Sequence, residues 1–337
     1  MKRLTSTHVV YAVVLLTIIA GAILVGAAGR SFFSTGNISA ILTGTSVLGF
    51  IAIGQTLVIL VGSLDLSVPY VVSLSSLVSA GIMANQAVNI LPGVLLALLV
   101  AAAIGLVNGL IVSGLKVHGF IATLGVGLIV SGYLATNYKG SSGQAPIEFR
   151  LLGATGIGPV PISTLIMLVC AAVVLLMLTR TRLGHHIYAV GGDMAVARMS
   201  GIQTRTPIIA AHVICSVMAG LAGLLLAARL GVGSPTIGTQ GGYDLLSIAA
   251  VVLGGTLLAG GKGSLVGTLG GVLIFAMIDN IMSVMQINPF LKDVVRGIVI
   301  VVAVAIYARR KSASRTDRFP STPRPESKSA ARQEVAA

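Results

Sequence analysis

The run VVYAVVLLTIIAGAILVGAA (Val9–Ala28) holds 20 residues and no charged side chain. A helix of about this length crosses the hydrocarbon core of a bilayer. The run follows Lys2 and Arg3 and ends in small residues, as a secretory signal does, but it is longer than the apolar core of a signal. Because many similar runs follow it, we predict that it is a retained first membrane helix.

Nine further apolar runs of this kind follow along the chain. We place them at about 38–61, 66–84, 91–113, 120–137, 162–178, 207–228, 245–258, 264–282 and 294–307. The predicted fold class is therefore an all-α integral membrane protein of about ten transmembrane helices. The junctions 62–66 and 259–263 have no hydrophilic loop, and the sequence leaves open whether they are turns or helix breaks.

The composition excludes a soluble globular protein. Of the 337 residues 55% are hydrophobic and 9% are charged, against roughly 25% charged in an average soluble domain. Forty-two glycines, few aromatic residues and no tryptophan are typical of closely packed membrane helices. Cys170 and Cys215 both lie in apolar runs and predict neither a disulfide framework nor a metal site. No catalytic constellation is visible, so we expect no enzyme and no cofactor in this chain.

The basic residues predict the orientation. If the N-terminus is cytoplasmic and the number of spans is even, most of the 22 lysines and arginines fall on the inner side. We therefore expect both termini in the cytoplasm, with residues 1–308 forming the membrane domain. Residues 309–337 form a basic tail rich in Arg, Ser and Pro that we predict to be disordered and cytoplasmic. Its charge favours topology or anionic lipid over nucleic acid, which we do not expect as a partner.

The inner loop at about 179–206, TRTRLGHHIYAVGGDMAVARMSGIQTRT, has the pattern of an ordered segment. Gly191 and Gly192 break the chain, Asp193 is placed to cap a short helix, and Gly201 is placed to end it. A short helix with small and apolar residues suits docking into the groove of a partner. The alternative is an amphipathic helix lying against the membrane.

Residues 181–202 of this loop resemble the cytoplasmic coupling loop of bacterial ABC-type sugar permeases of the ribose, xylose and arabinose group. A second match is GSLDLSVP at Gly62–Pro69, and others cover 116–133, 241–274 and 279–300, so that the resemblance spans about residues 38–308. In the loop the chain departs from the family pattern at His185 and at Met194–Val196, and in the second match Ser63 and Pro69 replace two glycines.

The resemblance implies the permease subunit of an ATP-driven importer in the bacterial inner membrane. In that family the loop inserts into the ATPase subunit, which makes the following residues coupling candidates: Gly191, Gly192, Asp193, Ala197, Arg198 and Gly201. The implied partners are an ATP-binding cassette ATPase, which holds ATP and magnesium, a periplasmic sugar-binding protein, a second and identical permease chain, and the lipid bilayer. Which sugar is carried is not readable from the permease.

The sequence itself also indicates that ATP is hydrolysed by another subunit. The pattern GxxxxGK[ST] of a phosphate-binding loop fails around Lys262, because Thr256 replaces the required glycine and Gly263 replaces the serine or threonine. The small residues 255, 259, 263, 267 and 271 recur every fourth position and, if helical, predict a ridge that allows close helix packing.

Polar residues inside the apolar runs are candidates for the translocation pathway. Asp65 and Ser67 either take part in gating or cap the helix that begins there. Asp279 and Arg296 could pair on antiparallel neighbours, and we favour a structural ion pair over a pathway role. Three uncharged residues, Gln55, Asn108 and Asn280, could line a polar passage.

Two alternatives remain open. An ion-coupled secondary transporter would use intramembrane acids such as Asp65 and Asp279, but it leaves the ordered inner loop unexplained. A permease for a non-sugar solute such as a branched-chain amino acid is the other.

Overall fold

The computed structural model describes residues 6–299 and 301, and helices dominate this part of the chain. They are α1 (Ser6–Ala27), α2 (Thr35–Leu60), α3 (Val68–Met83), α4 (Ile90–Gly114), α5 (Gly119–Asn137), α6 (Ile147–Ala154), α7 (Ile162–Arg180), α8 (Arg182–Gly192), α9 (Met194–Met199), α10 (Arg205–Leu230), α11 (Ile237–Gln240), α12 (Tyr243–Leu253), α13 (Leu265–Val284) and α14 (residues 289–299). A 3-10 turn, Ala87–Asn89, precedes α4, and β1 (Gly156–Ile157) pairs with β2 (Val160–Pro161) as an antiparallel hairpin.

Seven helices in the described part are long and apolar enough to cross a membrane: α1, α2, α4, α5, α7, α10 and α13. The all-α membrane class is therefore confirmed, whereas the count of ten spans stays a prediction. Two of the predicted spans contain only short helices, α3 with 16 residues and α12 with 11. Half of the predicted span at 294–307, and the whole tail at 309–337, lie outside the described residues.

An extended link completes the crossing that α3 begins. The chain turns at Val61 and Gly62, and residues 63–67 then run as extended backbone beside the first two turns of α5. The Thr123 hydroxyl donates to the Leu64 carbonyl at 3.1 Å and accepts the Leu66 amide at 3.0 Å. Gly127, one turn further along α5, lies against Ser67. The link and α3 thus run together along α5, and the junction 62–66 consists of a turn at Gly62 followed by extended backbone.

A second interrupted crossing contains α12. The segment 231–242, which includes α11, runs along α3 from Leu77 back towards Pro69. The hydroxyls of Ser76 and Ser73 accept the amides of Ser234 and Gly238 at 3.1 and 3.0 Å. These bonds satisfy backbone groups that would otherwise lie unpaired in an apolar bundle.

The predicted small-residue ridge of residues 255–271 is only partly helical. Residues 254–264 form a turn between α12 and α13, with positive φ at Gly255, Gly260 and Gly261. The ridge survives at Gly267 and Gly271, which touch the carbonyls of Gly254 and Ala250 and bring α13 against α12. The prediction was only partly right because glycine occurs both in turns and at close helix contacts, and a four-residue spacing does not distinguish these two uses.

The core of the bundle lies around α2, α3 and α10. Gly54 of α2 lies against the Cys215 backbone of α10, and Gly105 of α4 lies against the His212 carbonyl, so three helices approach at backbone distance. By contrast α4 presents a row of exposed leucines, Leu91, Leu95 and Leu99. Such a row suits contact with lipid, whereas α2 is surrounded by protein.

Candidate functional site

The segment between α7 and α10 folds as two short helices. The Thr181 hydroxyl caps α8 by accepting the Gly184 amide at 3.2 Å. Asp193 Oδ1 caps α9 by accepting the amides of Ala195 and Val196 at 2.8 and 3.0 Å. Gly201, with φ of 79°, follows the end of α9. The cap and the end of the predicted short helix are confirmed. Helix α8 was not expected, and Gly191 and Gly192, which were predicted to break the chain, are its last two residues.

Helix α9 has a supporting side and a free side. Ala197 is 4% exposed and packs into the bundle, while Val196 is 58% and Met199 89% exposed. Arg198 Nη2 lies 3.5 Å from the Thr204 hydroxyl, which ties α9 to the start of α10. Among the described residues, the apolar surface that α9 offers to a partner is therefore formed by Met194, Val196 and Met199.

Five glycines from three segments meet where α8 ends. We call this set the glycine junction: Gly62, Gly191, Gly192, Gly260 and Gly261. The Gly261 amide donates to the Leu60 carbonyl at 2.9 Å. A Cβ on Gly191 would overlap the Leu60 carbonyl and would lie 2.8 Å from the Gly261 nitrogen. The end of α8 therefore touches, backbone to backbone, both interrupted crossings at once.

Tyr188 adds a side-chain contact to this junction. Its hydroxyl donates to the Gly263 carbonyl at 3.3 Å across the α12–α13 turn. Burial raises the pKa of the Tyr188 phenol, so that it stays neutral and keeps its donor proton at physiological pH. Helix α8 is thus held to the α12–α13 turn through both its backbone and this phenol.

Asp65 lies at the centre of a buried polar cluster in the link. The cluster, which we call the Asp65 cluster, consists of Asp65, Ser67 and Asn108, all fully buried. Asp65 Oδ1 accepts the Ser67 hydroxyl at 2.6 Å and the Ser67 amide at 2.9 Å. The Asn108 amide group donates to Ser67 Oγ at 2.8 Å and to Asp65 Oδ2 at 3.4 Å.

These contacts revise the expected cap of α3. Ser67 occupies the N-cap position, but its side chain makes no capping bond to an α3 amide. Its hydroxyl is used by Asp65 and Asn108 instead. The Asp65 cluster therefore fixes the link to α4, which holds the break between α2 and α3 in one geometry.

A second polar contact joins the link to α10. His212 Nε2 lies 3.2 Å from the Ser63 hydroxyl, and His212 Nδ1 lies 2.9 Å from the Ile208 carbonyl. Sequence reasoning missed His212, although a histidine inside an apolar run is a signal for a buried partner. Nearby, Gln55 Oε1 accepts the Cys215 thiol at 3.6 Å, while Gln55 Nε2 and Asn108 Oδ1 have no partner among the described residues.

The structure brings Asp279 and Arg296 together. Arg296 Nε and Nη2 donate to the two Asp279 oxygens at 2.9 and 2.8 Å, and Nη1 donates to Asp293 at 2.9 Å. The pair lines a cavity of about 290 Å³ with Arg229, Tyr243 and Asn280. It lies away from the Asp65 cluster, so the predicted pathway residues form two groups. No group of three metal-ligating side chains occurs within the described residues.

Comparison with known proteins gives a consistent result. A family model described as branched-chain amino acid transport system / permease component matches residues 37–304. The ribose import permease protein RbsC of Escherichia coli is 41% identical over 281 residues, which cover 82% of this chain and 87% of that protein. The D-allose transport system permease protein AlsC of Escherichia coli is 34% identical over 82% of this chain and 84% of its own.

The galactose/methyl galactoside import permease protein MglC of Haemophilus influenzae is 32% identical over 83% of this chain and 90% of its own. No solved structure matches the chain significantly.

The glycine junction predicts different effects for two adjacent alanine substitutions. Gly191→Ala places a methyl group into the Leu60 carbonyl, and overpacking of this kind costs about 1–3 kcal/mol. Gly192→Ala meets no atom within 4 Å and serves as the matched control. We expect faster trypsin cleavage at Arg182 and Arg198 in the solubilised Gly191→Ala chain, because α8 and α9 detach. Equal cleavage rates for both variants would contradict the junction.

The Arg296 contacts predict unequal roles for its two carboxylates. Asp279→Asn removes the partner of a bidentate, partly buried pair and should lower the melting temperature of the solubilised chain by several degrees. Asp293→Asn removes an exposed partner and should change it little. A larger effect of Asp293→Asn in a thermal shift assay is the opposite of what this geometry requires.

Proposed function

Because this chain belongs to the branched-chain amino acid transport system / permease component family, we propose that it is the membrane permease subunit of an ATP-driven sugar importer. The observation that carries the proposal is the 41% identity to a ribose import permease over 82% of the chain. Family and relatives are permease components of transporters and not enzymes, so the chain moves a solute and performs no covalent chemistry.

A monosaccharide is the proposed cargo. The relatives reported above are named for ribose, D-allose and galactose, and all three are neutral sugars. The description of the family model favours a branched-chain amino acid as the second candidate. Similarity to several sugar permeases over more than four fifths of each chain supports a sugar as the cargo, with ribose, xylose or arabinose as the first solutes to test.

The chain is a multi-pass membrane protein, and we propose the bacterial inner membrane as its location. In this proposal the interrupted crossings containing α3 and α12 and the crossing that begins with α14 bring the seven long helices to ten spans. Both termini are then cytoplasmic. Residues 1–308 form the permease domain, the coupling loop covers about residues 179–206, and residues 309–337 form the basic tail.

The proposed partners follow from the importer class. A separate ATPase subunit holds ATP and magnesium and receives α9 in a groove, through Val196 and Met199. A periplasmic binding protein delivers the sugar to the opposite side. A second copy of this chain completes the pore, and this homodimer is an expectation that no contact within a single chain tests.

The coupling candidates have distinct parts in this scheme. Asp193 and Gly201 set the two ends of α9, Ala197 seats it on the bundle, and Arg198 ties it to α10. In the glycine junction, Gly191 lies against the Leu60 carbonyl and Gly192 lies against Gly261. Movement of α9 is therefore passed by direct backbone contact to the link and to the α12–α13 turn, which are the ends of the two interrupted crossings.

In this proposal the Asp65 cluster passes the movement of the link on to α4. It binds the link to α4, so displacement of the link at Gly62 must either carry α4 along or break the contacts of Asp65. We propose that Asp65, Ser67 and Asn108 gate the pathway in this way, by holding one of two arrangements. Gln55 and Asn280 remain pathway candidates, and the Asp279–Arg296 pair is proposed to be structural.

The proposed function predicts uptake of a labelled monosaccharide. Membrane vesicles or cells that contain the chain with its ATPase and binding protein should accumulate radiolabelled ribose, xylose or arabinose, and vanadate or loss of ATP should stop uptake. Leucine is the control solute, and its preferential uptake would establish the amino acid alternative. Uptake driven by an ion gradient without the ATPase would establish the secondary transporter.

The exposed side of α9 predicts a coupling-defective variant. Met199→Glu adds a charge at a position that is 89% exposed, so folding and membrane insertion should be unaffected. The same charge in an apolar groove of the ATPase is desolvated, and we expect at least a tenfold loss of uptake together with weaker copurification of the ATPase. Ser31→Glu, in the exposed α1–α2 connection, is the matched control. Normal uptake by Met199→Glu would remove α9 from the interface.

A further inference from the structure

A polar cavity of about 350 Å³ lies between α3, the second half of α5 and the segment 234–239. We call it the tyrosine cavity, and the lining residues that matter here are Tyr70, Ser131, Tyr138, Lys139, Ser141 and Thr236. Its volume falls within the range of small-molecule sites, which begins at about 300 Å³. We propose that the tyrosine cavity binds the transported solute on its way through this chain, and that it selects a neutral, polyhydroxylated molecule.

The lining has the chemistry that such a ligand requires. The hydroxyls of Tyr70, Ser131 and Thr236 make no hydrogen bond to another described residue and are able to donate as well as to accept. Tyr70 and Tyr138 offer aromatic rings to the apolar face of a sugar ring. The lining contains no carboxylate, and its one cation, Lys139, is exposed. A lining of hydroxyl groups without a strong electrostatic field suits a neutral solute, because such a solute is bound weakly and can be released again.

The cavity adjoins the segments that are proposed to transmit the movement of α9. Tyr70 lies in the first turn of α3, three residues after Ser67 of the Asp65 cluster. Gly127 of α5 lies against both Tyr70 and Ser67. On the other wall, Thr236 belongs to the segment that is hydrogen-bonded to α3 through Ser73 and Ser76. The cavity therefore lies where both interrupted crossings meet α5, and an occupant contacts the elements that the glycine junction moves.

The position of the cavity along the bundle is also consistent with a chamber through which the solute enters. Helices α3 and α5 both begin beside the link, close to the glycine junction, and Ser131 and Tyr138 lie three and five turns along α5. The tyrosine cavity thus opens on the side of the link that faces away from α8 and α9. The other polar cavity, lined by Arg229, Asp279 and Arg296, is strongly charged and suits a neutral solute less well.

Loss of two cavity hydroxyls tests the inference, which rests on the proposed function. The assay is the initial rate of uptake of radiolabelled D-ribose by the reconstituted complex with its ATPase and binding protein. Tyr70→Phe combined with Thr236→Val removes two unpartnered hydroxyls and keeps the shape of the cavity. We expect about a tenfold lower rate, while ATP hydrolysis stimulated by the binding protein is retained.

The matched control is Thr136→Val, which removes a hydroxyl from α5 outside the cavity, where it donates to the Gly132 carbonyl. A double variant that transports ribose at the wild-type rate overturns the inference and leaves the proposed function intact. Absence of monosaccharide uptake by the wild-type complex contradicts the proposed function and the inference together. The two failures are therefore distinguishable in one experiment.

A reversible block gives a second measurement that does not depend on hydrogen bonding. Ser131→Cys in a Cys170→Ala chain places a thiol in the cavity, while the remaining Cys215 is fully buried. A bulky, membrane-impermeant methanethiosulfonate should stop ribose uptake, and a reductant should restore it. Saturating ribose with the binding protein should slow the labelling. Ser31→Cys, in the α1–α2 connection, is the control position. Complete labelling of Ser131→Cys without loss of uptake overturns the inference.

Discussion

Backbone-to-backbone contact at glycines is the constraint on which the rest of this structure depends. At the glycine junction the absence of a Cβ on Gly191 lets the end of α8 touch the Leu60 carbonyl and the Gly261 amide at once. Any other residue would push α8 away from both. Because backbone cannot change rotamer, a movement of α8 is not absorbed by side chains and reaches the link and the α12–α13 turn directly. The same device brings α10 against α2 and α4 in the core.

The two interrupted crossings show how a low-dielectric bundle accommodates backbone that is not helical. Free amides and carbonyls at membrane depth each cost several kcal/mol when they find no partner, so side-chain hydroxyls take the place of the missing helix. Thr123 serves the link in this way, and Ser73 and Ser76 serve the segment 231–242. Ser73 and Ser76 of α3, which look anomalous in an apolar run, are thus the partners of a neighbouring irregular segment.

Polar groups in this chain separate into two functional kinds. Asp65, Ser67, Asn108 and the Ser63–His212 contact fix the link and leave few groups unpaired, which suits an element that has defined alternative positions. The hydroxyls of Tyr70, Ser131 and Thr236 in the tyrosine cavity make no hydrogen bond to other described residues, which suits a surface that a solute touches briefly. In the proposed function the first kind holds the link in place, and the second kind binds the solute weakly.

The sequence alone determined the class of the protein. Long uncharged runs such as Val9–Ala28, repeated along the chain, indicate membrane helices, because a helix of about 20 apolar residues matches the thickness of the hydrocarbon core. Local chemistry also fixed α9, since the Asp193 side chain caps amides two and three residues away and Gly201 follows within the same short stretch. The pairing of Asp279 with Arg296 was also predictable from the sequence, because two opposite charges in apolar surroundings have few other partners.

Tertiary structure decided everything that depends on contact between distant segments. The sequence showed two junctions without hydrophilic loops but could not show that both meet Gly191, because glycine permits a turn, a break and a close approach alike. It could not separate a cap role for Ser67 from its actual use by Asp65 and Asn108, since Asn108 lies on another helix. The tyrosine cavity was invisible for the same reason. Its hydroxyls come from α3, α5 and the segment 234–239, and only packing brings them to one surface.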